Sequence, residues 1–315
     1  NLAFQGIISP SVLEGWGFSP RAFSNLDTDS LEYFGQVNMM KGAITTTEAF
    51  TTVSPNYSWD IQTPNGGLGL DGVIVAHKNK LRGIINGIDY DIWNPKTDSL
   101  LPANYSIGDM GGKEECRRAL LKECGWKEDR RPILIFVGRL TEQKGIDIML
   151  DAVRPFLAKK ARFVIVGSGN DLYTRKVFEF RKEYPHSVHE ILEFNEAKAH
   201  LAYAGGDMLL MPSLFEPCGL SQLIAFAYGT IPVARATGGL ADTVIDADGS
   251  PDGTGFLFKD FSHEELQKAI DRALAAKDDG TRWDGIIRNA MGSDFSWDNS
   301  AKAYAELYRD ILTSD

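Results

Sequence analysis

The chain has 315 residues, of which 43% are hydrophobic, and its net charge is −10 at pH 7. This is enough apolar material for a large core, and the length favours two domains over one. The acidic balance excludes a general affinity for nucleic acid or for anionic membranes, and no apolar run reaches the length of a transmembrane helix.

The start of the chain and its cysteines give only indirect information. The sequence begins with Asn1 instead of Met, without a signal peptide or a disordered leader, so we expect a fragment of a longer protein. Cys116, Cys124 and Cys218 have no metal-site spacing and cannot all pair. This pattern favours a reducing compartment.

The first part of the chain has a less regular pattern than the rest. It contains a helix-like pattern over residues 37–50, a strand-like segment over 51–53 and a short apolar strand over 81–85. A polar, charged segment over residues 113–131 is interpreted as a connector. We interpret residues 1–128 as the second half of an α/β domain plus this linker.

From about Arg131 onward, apolar strands alternate with amphipathic helices. Such alternation predicts a parallel, doubly wound sheet, so residues 129–294 are interpreted as a nucleotide-binding Rossmann-like domain. A final amphipathic helix spans residues 297–312, and we expect segment 295–315 to cross back to the first domain. The predicted strands cover residues 133–137, 163–166, 188–192, 208–211 and 231–234.

The most informative motif is residues 214–223, Leu-Phe-Glu-Pro-Cys-Gly-Leu-Ser-Gln-Leu. It places Glu216 between an apolar strand and a buried helix predicted over residues 219–228. Ligands of open α/β sheets bind at the carboxyl ends of strands. Glu216 is therefore the first candidate for a catalytic group, and a carboxylate that only caps a helix is the alternative.

Two further motifs stand at equivalent junctions. Residues 138–145, Gly-Arg-Leu-Thr-Glu-Gln-Lys-Gly, carry Arg139 and Lys144, which are spaced to converge on one anion. Residues 237–242, Thr-Gly-Gly-Leu-Ala-Asp, precede a helix predicted through Val244 and Ile245. The glycines allow backbone amides to approach a phosphate closely. Ordinary surface charges are the alternative for Arg139 and Lys144.

Together with residues 51–55, Thr-Thr-Val-Ser-Pro, and 85–95, Ile-Asn-Gly-Ile-Asp-Tyr-Asp-Ile-Trp-Asn-Pro, these motifs resemble the bacterial glycogen synthases and plant starch synthases. The resemblance covers essentially the whole chain. It implies an α/β GT-B fold, in which two Rossmann-like domains face a cleft and the first is only partly present.

The resemblance also implies an activity. It implies a retaining glycosyltransferase of family 5, a hexosyltransferase of glycogen or starch biosynthesis, which transfers glucose from ADP-glucose to the non-reducing end of an α-1,4-glucan. ADP-glucose is then a substrate, and no cofactor or metal is expected because Arg, Lys and backbone amides supply the charge stabilisation. A bacterial cytoplasm, or a plastid stroma for a plant or alga, is the implied compartment.

Roles for individual residues follow from the same resemblance. Arg139 and Lys144 are expected to hold the donor diphosphate, and with Glu216 they form the expected catalytic set. Glu216 is expected near the glucose, either to position the sugar or to stabilise an oxocarbenium ion. Asn1, Asn86 and Glu216 are the expected sugar contacts. The expected donor contacts are Gly138, Arg139, Lys144, Phe194, Cys218, Gly219, Leu220, Thr237, Gly238, Gly239 and Leu240.

Phe194 stands where the family commonly has a tyrosine that stacks on adenine, and it keeps the stacking face. The family's Lys-x-Gly-Gly-Leu loop and the histidine before Asn1 are missing, so we expect this chain alone to be inactive or nearly so. Many other retaining GT-B enzymes carry a second glutamate eight residues after the first. Ile224 occupies that position here, which favours glucan synthases.

Two alternatives to this function stay open at the level of the sequence. One is a GT-B glycosyltransferase with another donor such as UDP-glucose, and the other is a catalytically inactive fragment that binds a nucleotide sugar or a glucan. A thiol nucleophile at Cys218 is not favoured, because no histidine is near it in sequence. Packing is the expected role of Trp93, Trp126, Trp283 and His200, and stacking on a glucan is the alternative for the three tryptophans.

Overall fold

The computed structural model describes residues 2–18, 31–157 and 159–313, which fall into two compact units. Unit 1 comprises Asn1–Ile85 with Ser300–Asp315, and unit 2 comprises Asn86–Asn299. Residues 86–128, which the sequence analysis groups with the first domain, therefore lie in unit 2. In the described part of the chain, no helix has both the length and the apolar character needed to cross a membrane.

Unit 1 contains two small sheets and several short helices. One sheet is antiparallel, with the order β1 (Ile7–Ile8), β3 (Gln36–Asn38), β2 (Glu32–Tyr33). In the other, β4 (Phe50–Thr52) pairs in parallel with β5 (Leu81–Gly83). The helices of this unit are Pro10–Gly15, Met39–Thr46, Pro55–Asp60, Pro64–Gly67 and Asp71–Ala76, and Trp297–Thr313 enters it from Ser300 onward.

The predictions for unit 1 are confirmed with shifted bounds. The helix predicted over residues 37–50 is the shorter Met39–Thr46, because Asn38 caps it by accepting a hydrogen bond from the backbone N–H of Lys41. The two predicted strands correspond to β4 and β5. The core of the unit is small and consists of Leu2, Ile44, Tyr57, Ile61, Leu70, Ile74 and Leu81.

Unit 2 is built on a six-stranded parallel sheet with the order β11–β10–β9–β6–β7–β8. Most residues of the four central strands are buried, which explains their continuous apolar runs. The chain winds outward from β6 to β8 on one side and from β9 to β11 on the other. The strands are β6 (Ile133–Val137), β7 (Arg162–Val166), β8 (Val188–Ile191), β9 (Met208–Met211), β10 (Ile231–Arg235) and β11 (Phe256–Phe258).

The neighbouring strands β6 and β9 form the topological switch point of this sheet, because the two halves wind in opposite directions from them. The loops that follow them therefore lie side by side at the carboxyl edge. A crevice at such a point is the usual ligand site of a doubly wound sheet. The helices that follow the first five strands of this sheet are Ile146–Leu157, Asp171–Glu183, Glu196–Gly205, Ser221–Ala227 and Gly238–Thr243.

The structure corrects three details of the prediction. Strand β11 was not predicted, because three residues are too short a run to show a period. The helix predicted through Val244 and Ile245 is instead Gly238–Thr243, and Val244 has an extended backbone with ψ of 122°. The charged segment interpreted as a connector, residues 113–131, overlaps the helix Gly111–Glu123, which buries Cys116, Leu120 and Leu121.

A buried carboxylate joins three elements at the amino edge of the sheet. Asp207 Oδ2 accepts hydrogen bonds from Arg117 Nη1 at 2.6 Å and from the N–H of Ile133 at 2.7 Å, and Oδ1 lies 2.7 Å from Lys277 Nζ. Burial alone would raise the pKa of Asp207, but the charges of Lys277 and Arg117 hold that pKa below its ordinary value.

We expect Asp207→Ala to lower the free energy of unfolding by about 3–5 kcal/mol, because it leaves two cations without their buried partner. The stabilisation by the wild-type carboxylate is present above the unfolded-state pKa and is lost as the pH falls through the lower folded-state pKa. Urea unfolding at pH 7 measures the effect. The exposed Asp271→Ala should change stability by less than about 0.5 kcal/mol. Equal effects of the two variants would contradict the role given to Asp207.

Candidate active site

The candidate site is built around an ion pair between Lys144 and Glu216. Lys144 Nζ lies 2.5 Å from Glu216 Oε2. Both side chains are mostly buried, with 17% of the lysine and 8% of the glutamate exposed. Burying a charge is costly unless the charge is paired and hydrogen-bonded, so each of these groups depends on the other.

The loops that carry the two charges follow the two strands of the switch point. After β6 the chain forms the 3₁₀ turn Glu142–Lys144, and the N–H of Leu214 in the β9 loop donates to Gln143 O at 2.8 Å. Gly145 ends the turn with φ of +68°, and a Cβ there would stand 2.2 Å from Pro212 O. Glycine at this position is what lets the two loops approach so closely.

Glu216 is also fixed by groups outside the ion pair. Ser213 Oγ donates a hydrogen bond to the same oxygen, Oε2, at 3.0 Å. Arg235, at the end of β10, donates from Nη1 to Leu214 O at 2.7 Å. The carboxylate is therefore held in place through both its side chain and the backbone before it.

The Thr-Gly-Gly motif after β10 packs directly on the backbone that carries Glu216. Gly238 has φ of +45°, and a Cβ there would stand 2.1 Å from Glu216 O. A Cβ on Gly239 would stand 2.1 Å from Cys218 O. The two glycines are thus required by the close approach of two backbone segments.

Two amides of this motif are already used inside the loops. The N–H of Gly239 donates to Glu216 O at 3.0 Å, and that of Leu240 donates to Thr237 O at 3.1 Å. The side chain of Leu240 is fully buried. Gly239 therefore supports the backbone of Glu216, and Leu240 closes the turn of its own motif.

The turn after Glu216 is held by a buried glutamine. Gln222 Nε2 donates to Cys218 O and to Gly219 O, both at 3.0 Å, and Gly219 has φ of +74°. Burial raises the pKa of the Cys218 thiol to about 11, which disfavours the thiolate form that a nucleophilic cysteine needs. The backbone of Asn86 hydrogen-bonds to this thiol group, which places Asn86 beside the turn.

A cavity of about 270 Å³ opens at the carboxyl ends of β6, β7 and β8. Arg139 is exposed and lines this cavity. Phe194, in the loop after β8, also lines it and is 90% exposed. Much of the remaining wall is apolar and comes from Trp93, Val137, Val166 and Ala199.

The structure places the predicted residues at one edge of the sheet of unit 2, with one exception. Asn1 lies outside the described residues, so the structure gives it no position. Phe194 belongs to the cavity on the β8 side, and Asn86 lies beside the turn at Cys218. The others lie in three neighbouring loops, with Gly138, Arg139 and Lys144 after β6, Glu216, Cys218, Gly219 and Leu220 after β9, and Thr237, Gly238, Gly239 and Leu240 after β10.

Sequence reasoning missed several residues that shape this site. Ser213 precedes Glu216 by three residues, a capping-type spacing that could have indicated it. Gln143, whose side chain donates to Phe215 O at 3.1 Å, lies inside a motif that was already identified. Gln222 lies inside the motif of residues 214–223, and it contacts carbonyls three and four residues before it. Arg235 shows no signal in sequence, because its contacts are to backbone carbonyls of other loops.

The arrangement combines a cationic loop, one carboxylate and an adjoining apolar cavity. Such a site can hold an anionic ligand that carries an aromatic group, with the carboxylate beside the group that reacts. Among the residues that the structure describes, no cluster of three or more His, Cys, Asp or Glu side chains is placed to bind a metal ion.

Comparison with known proteins gives matches over the whole chain. Residues 121–289 match the family model described as glycosyl transferases group 1, and residues 1–76 match that of the starch synthase catalytic domain. The glycogen synthase of Thermodesulfovibrio yellowstonii is 44% identical over 313 residues, which are 99% of this chain and 61% of that protein. The glycogen synthase of Bacillus cereus is 41% identical, over 99% of this chain and 66% of that protein.

A solved structure also matches closely. The catalytic domain of starch synthase IV from Arabidopsis thaliana, bound to ADP and acarbose, superposes with a TM-score of 0.93 at 36% identity. The match covers 99% of this chain and 66% of that one. The chain thus has a GT-B fold, and it spans less than two thirds of the length of these relatives.

We expect Gly238→Ala to lower the free energy of unfolding by about 1–3 kcal/mol, because the new Cβ would meet Glu216 O and the backbone has positive φ. Thermal unfolding followed by circular dichroism measures this change. Gly285 lies inside the helix Gly280–Gly292, and a Cβ added there would have nothing within 4 Å, so Gly285→Ala is the matched control and should not destabilise. A Gly238→Ala variant as stable as this control would contradict the packing argument.

Proposed function

We propose a function from the family to which the chain belongs, that of the glycogen and starch synthases within the group 1 glycosyl transferases. In this proposal the chain serves the transfer of glucose from ADP-glucose to the non-reducing end of an α-1,4-glucan, with retention of configuration. The observation that carries the proposal is the contact of Lys144 with Glu216 at the switch point of the sheet. The similar starch synthase, which binds ADP and acarbose, supports both ligand classes.

The two cations of the β6 loop hold the donor diphosphate in this proposal. Arg139 is exposed beside the cavity and provides a planar set of donors for phosphate oxygens. Lys144 shifts part of its interaction from Glu216 to the diphosphate when the donor binds. Its positive charge then stabilises the negative charge that develops on the departing ADP.

Glu216 acts on the glucose in this proposal. The carboxylate of Glu216 lies next to Lys144, which contacts the diphosphate. The carboxylate is therefore close to the anomeric carbon, to which the diphosphate is bonded. A fixed negative charge there stabilises the positive charge of an oxocarbenium-like transition state. Ser213 and the ion pair keep the carboxylate in one orientation, so little reorganisation is needed during the reaction.

Retention follows from attack on the same face that the diphosphate leaves. The bond from the anomeric carbon to the diphosphate oxygen breaks, and the bond to the acceptor hydroxyl oxygen forms. The proton of that hydroxyl passes to the departing phosphate oxygen. No second carboxylate is needed as acid or base, in contrast to a retaining glycosidase. The proposal needs no cofactor, and the bacterial sources of the two similar glycogen synthases support a bacterial cytoplasm.

We expect Lys144→Ala to weaken ADP binding by about ten- to a hundredfold, the size of one charge-assisted hydrogen bond. Isothermal titration calorimetry with ADP and with UDP measures this loss and the preference between nucleotides. Lys159→Ala removes an exposed lysine elsewhere on unit 2 and should leave the affinity unchanged. Equal affinities for ADP by all three proteins would contradict the proposed donor site, and UDP binding as tight as ADP binding would support another donor.

We expect Glu216→Gln to separate donor binding from transfer. The variant should bind ADP as tightly as the unsubstituted chain or more tightly, because Lys144 no longer has a carboxylate partner. Any transfer of labelled glucose from ADP-glucose to glycogen, however slow in the unsubstituted chain, should disappear. A variant that keeps this transfer rate would rule out Glu216 as a catalytic residue.

A further inference from the structure

One wall of the cavity beside Arg139 comes from a residue outside the three loop motifs that follow β6, β9 and β10. Trp93 lies in the segment before β6, which the sequence analysis grouped with the first domain. In the structure it is half-buried in unit 2 and lines the cavity together with Phe194. The two aromatic residues reach one cavity from segments about a hundred positions apart in the sequence.

The indole ring of Trp93 packs against three other aromatic rings. The imidazole of His200 stacks on it, with ring centroids 4.0 Å apart and an interplanar angle of 15°. The rings of Tyr203 and Tyr228 meet it edge-on, at 85° and 72°. The imidazole thus covers one face of the indole, and the same tryptophan borders the cavity.

A buried polar network holds His200 in this position. Its Nδ1 lies 2.7 Å from Asp98 Oδ2, and Tyr228 OH donates to the same oxygen at 2.5 Å. The other oxygen of Asp98 accepts the N–H of Leu100 at 2.9 Å. Asp98 and Trp93 are five positions apart in one loop, so this network anchors both the loop and the ring that stacks on the indole.

The position of the cavity indicates what would enter it. Lys144 and Glu216 lie at the switch point, and Arg139, in the same β6 loop as Lys144, lines the cavity. If the diphosphate contacts Arg139 and Lys144 and the glucose lies at Glu216, the nucleoside extends toward β7 and β8. A flat base fits the apolar and aromatic lining there.

We propose that Trp93 contacts the nucleobase of the donor and, with Phe194, forms the aromatic wall of the base-binding pocket. This inference rests on the proposed function and adds a base-binding residue to it. The contact with His200 leaves the indole preorganised, so little side-chain entropy is lost when the base binds. An aromatic ring on a rigid, buried support favours a ligand with a planar base over a ligand that has no base.

The test compares ADP with pyrophosphate, which has the two phosphates but no base, in calorimetric titrations. Trp93→Leu should weaken ADP binding about tenfold, the size of one lost aromatic stacking partner, and leave pyrophosphate binding unchanged. Trp126 is the matched control, since it is a half-buried tryptophan of the same unit that packs on Arg162 and His189 away from the cavity. Trp126→Leu should change neither affinity.

A second readout remains decisive if Trp93→Leu does not fold. ADP should change the tryptophan emission of the unsubstituted chain, and this change should be lost in Trp93→Phe and retained in Trp126→Phe. Two results would overturn the inference and leave the proposed function standing. One is that folded Trp93→Leu binds ADP as tightly as the unsubstituted chain, and the other is that the emission change persists in Trp93→Phe. Failure of the unsubstituted chain to bind either ADP or pyrophosphate would overturn both.

Discussion

The candidate site depends on the buried ion pair of Lys144 and Glu216. Removing two charges from water costs several kcal/mol for each ion, and only close pairing with further hydrogen bonds offsets that cost. Ser213 supplies one such bond. The pair therefore ties the β6 loop to the β9 loop, and a diphosphate that binds Lys144 must compete with a carboxylate that is already well placed.

The sheet topology makes this pairing possible. Strands β6 and β9 are neighbours from which the two halves of the sheet wind in opposite directions, so their following loops meet at the carboxyl edge. Three glycines then remove the steric barrier to backbone contact, with Gly145 facing Pro212, Gly238 facing Glu216 and Gly239 facing Cys218. The carboxylate is thus positioned mainly by the packing of backbone on backbone.

Most of unit 2 could be predicted from sequence, because its central strands are buried on both faces and read as uninterrupted apolar runs. The three loop motifs could be found because each follows such a strand. The roles of Trp93 and Arg235 could not, since their contacts join segments far apart in the chain. Unit 1 was harder to predict because its strands have only two or three residues, too few to show a period.

The helix Gly111–Glu123 shows another limit of sequence reasoning. Its charged residues dominate the composition, and only Cys116, Leu120 and Leu121 form the buried stripe.

A crystal structure of this chain soaked with ADP would test the central claim most directly. The account predicts the diphosphate at Arg139 and Lys144, with a lengthened distance from Lys144 to Glu216 and the base in the cavity lined by Phe194. A nucleotide bound elsewhere, with the ion pair unchanged, would contradict it.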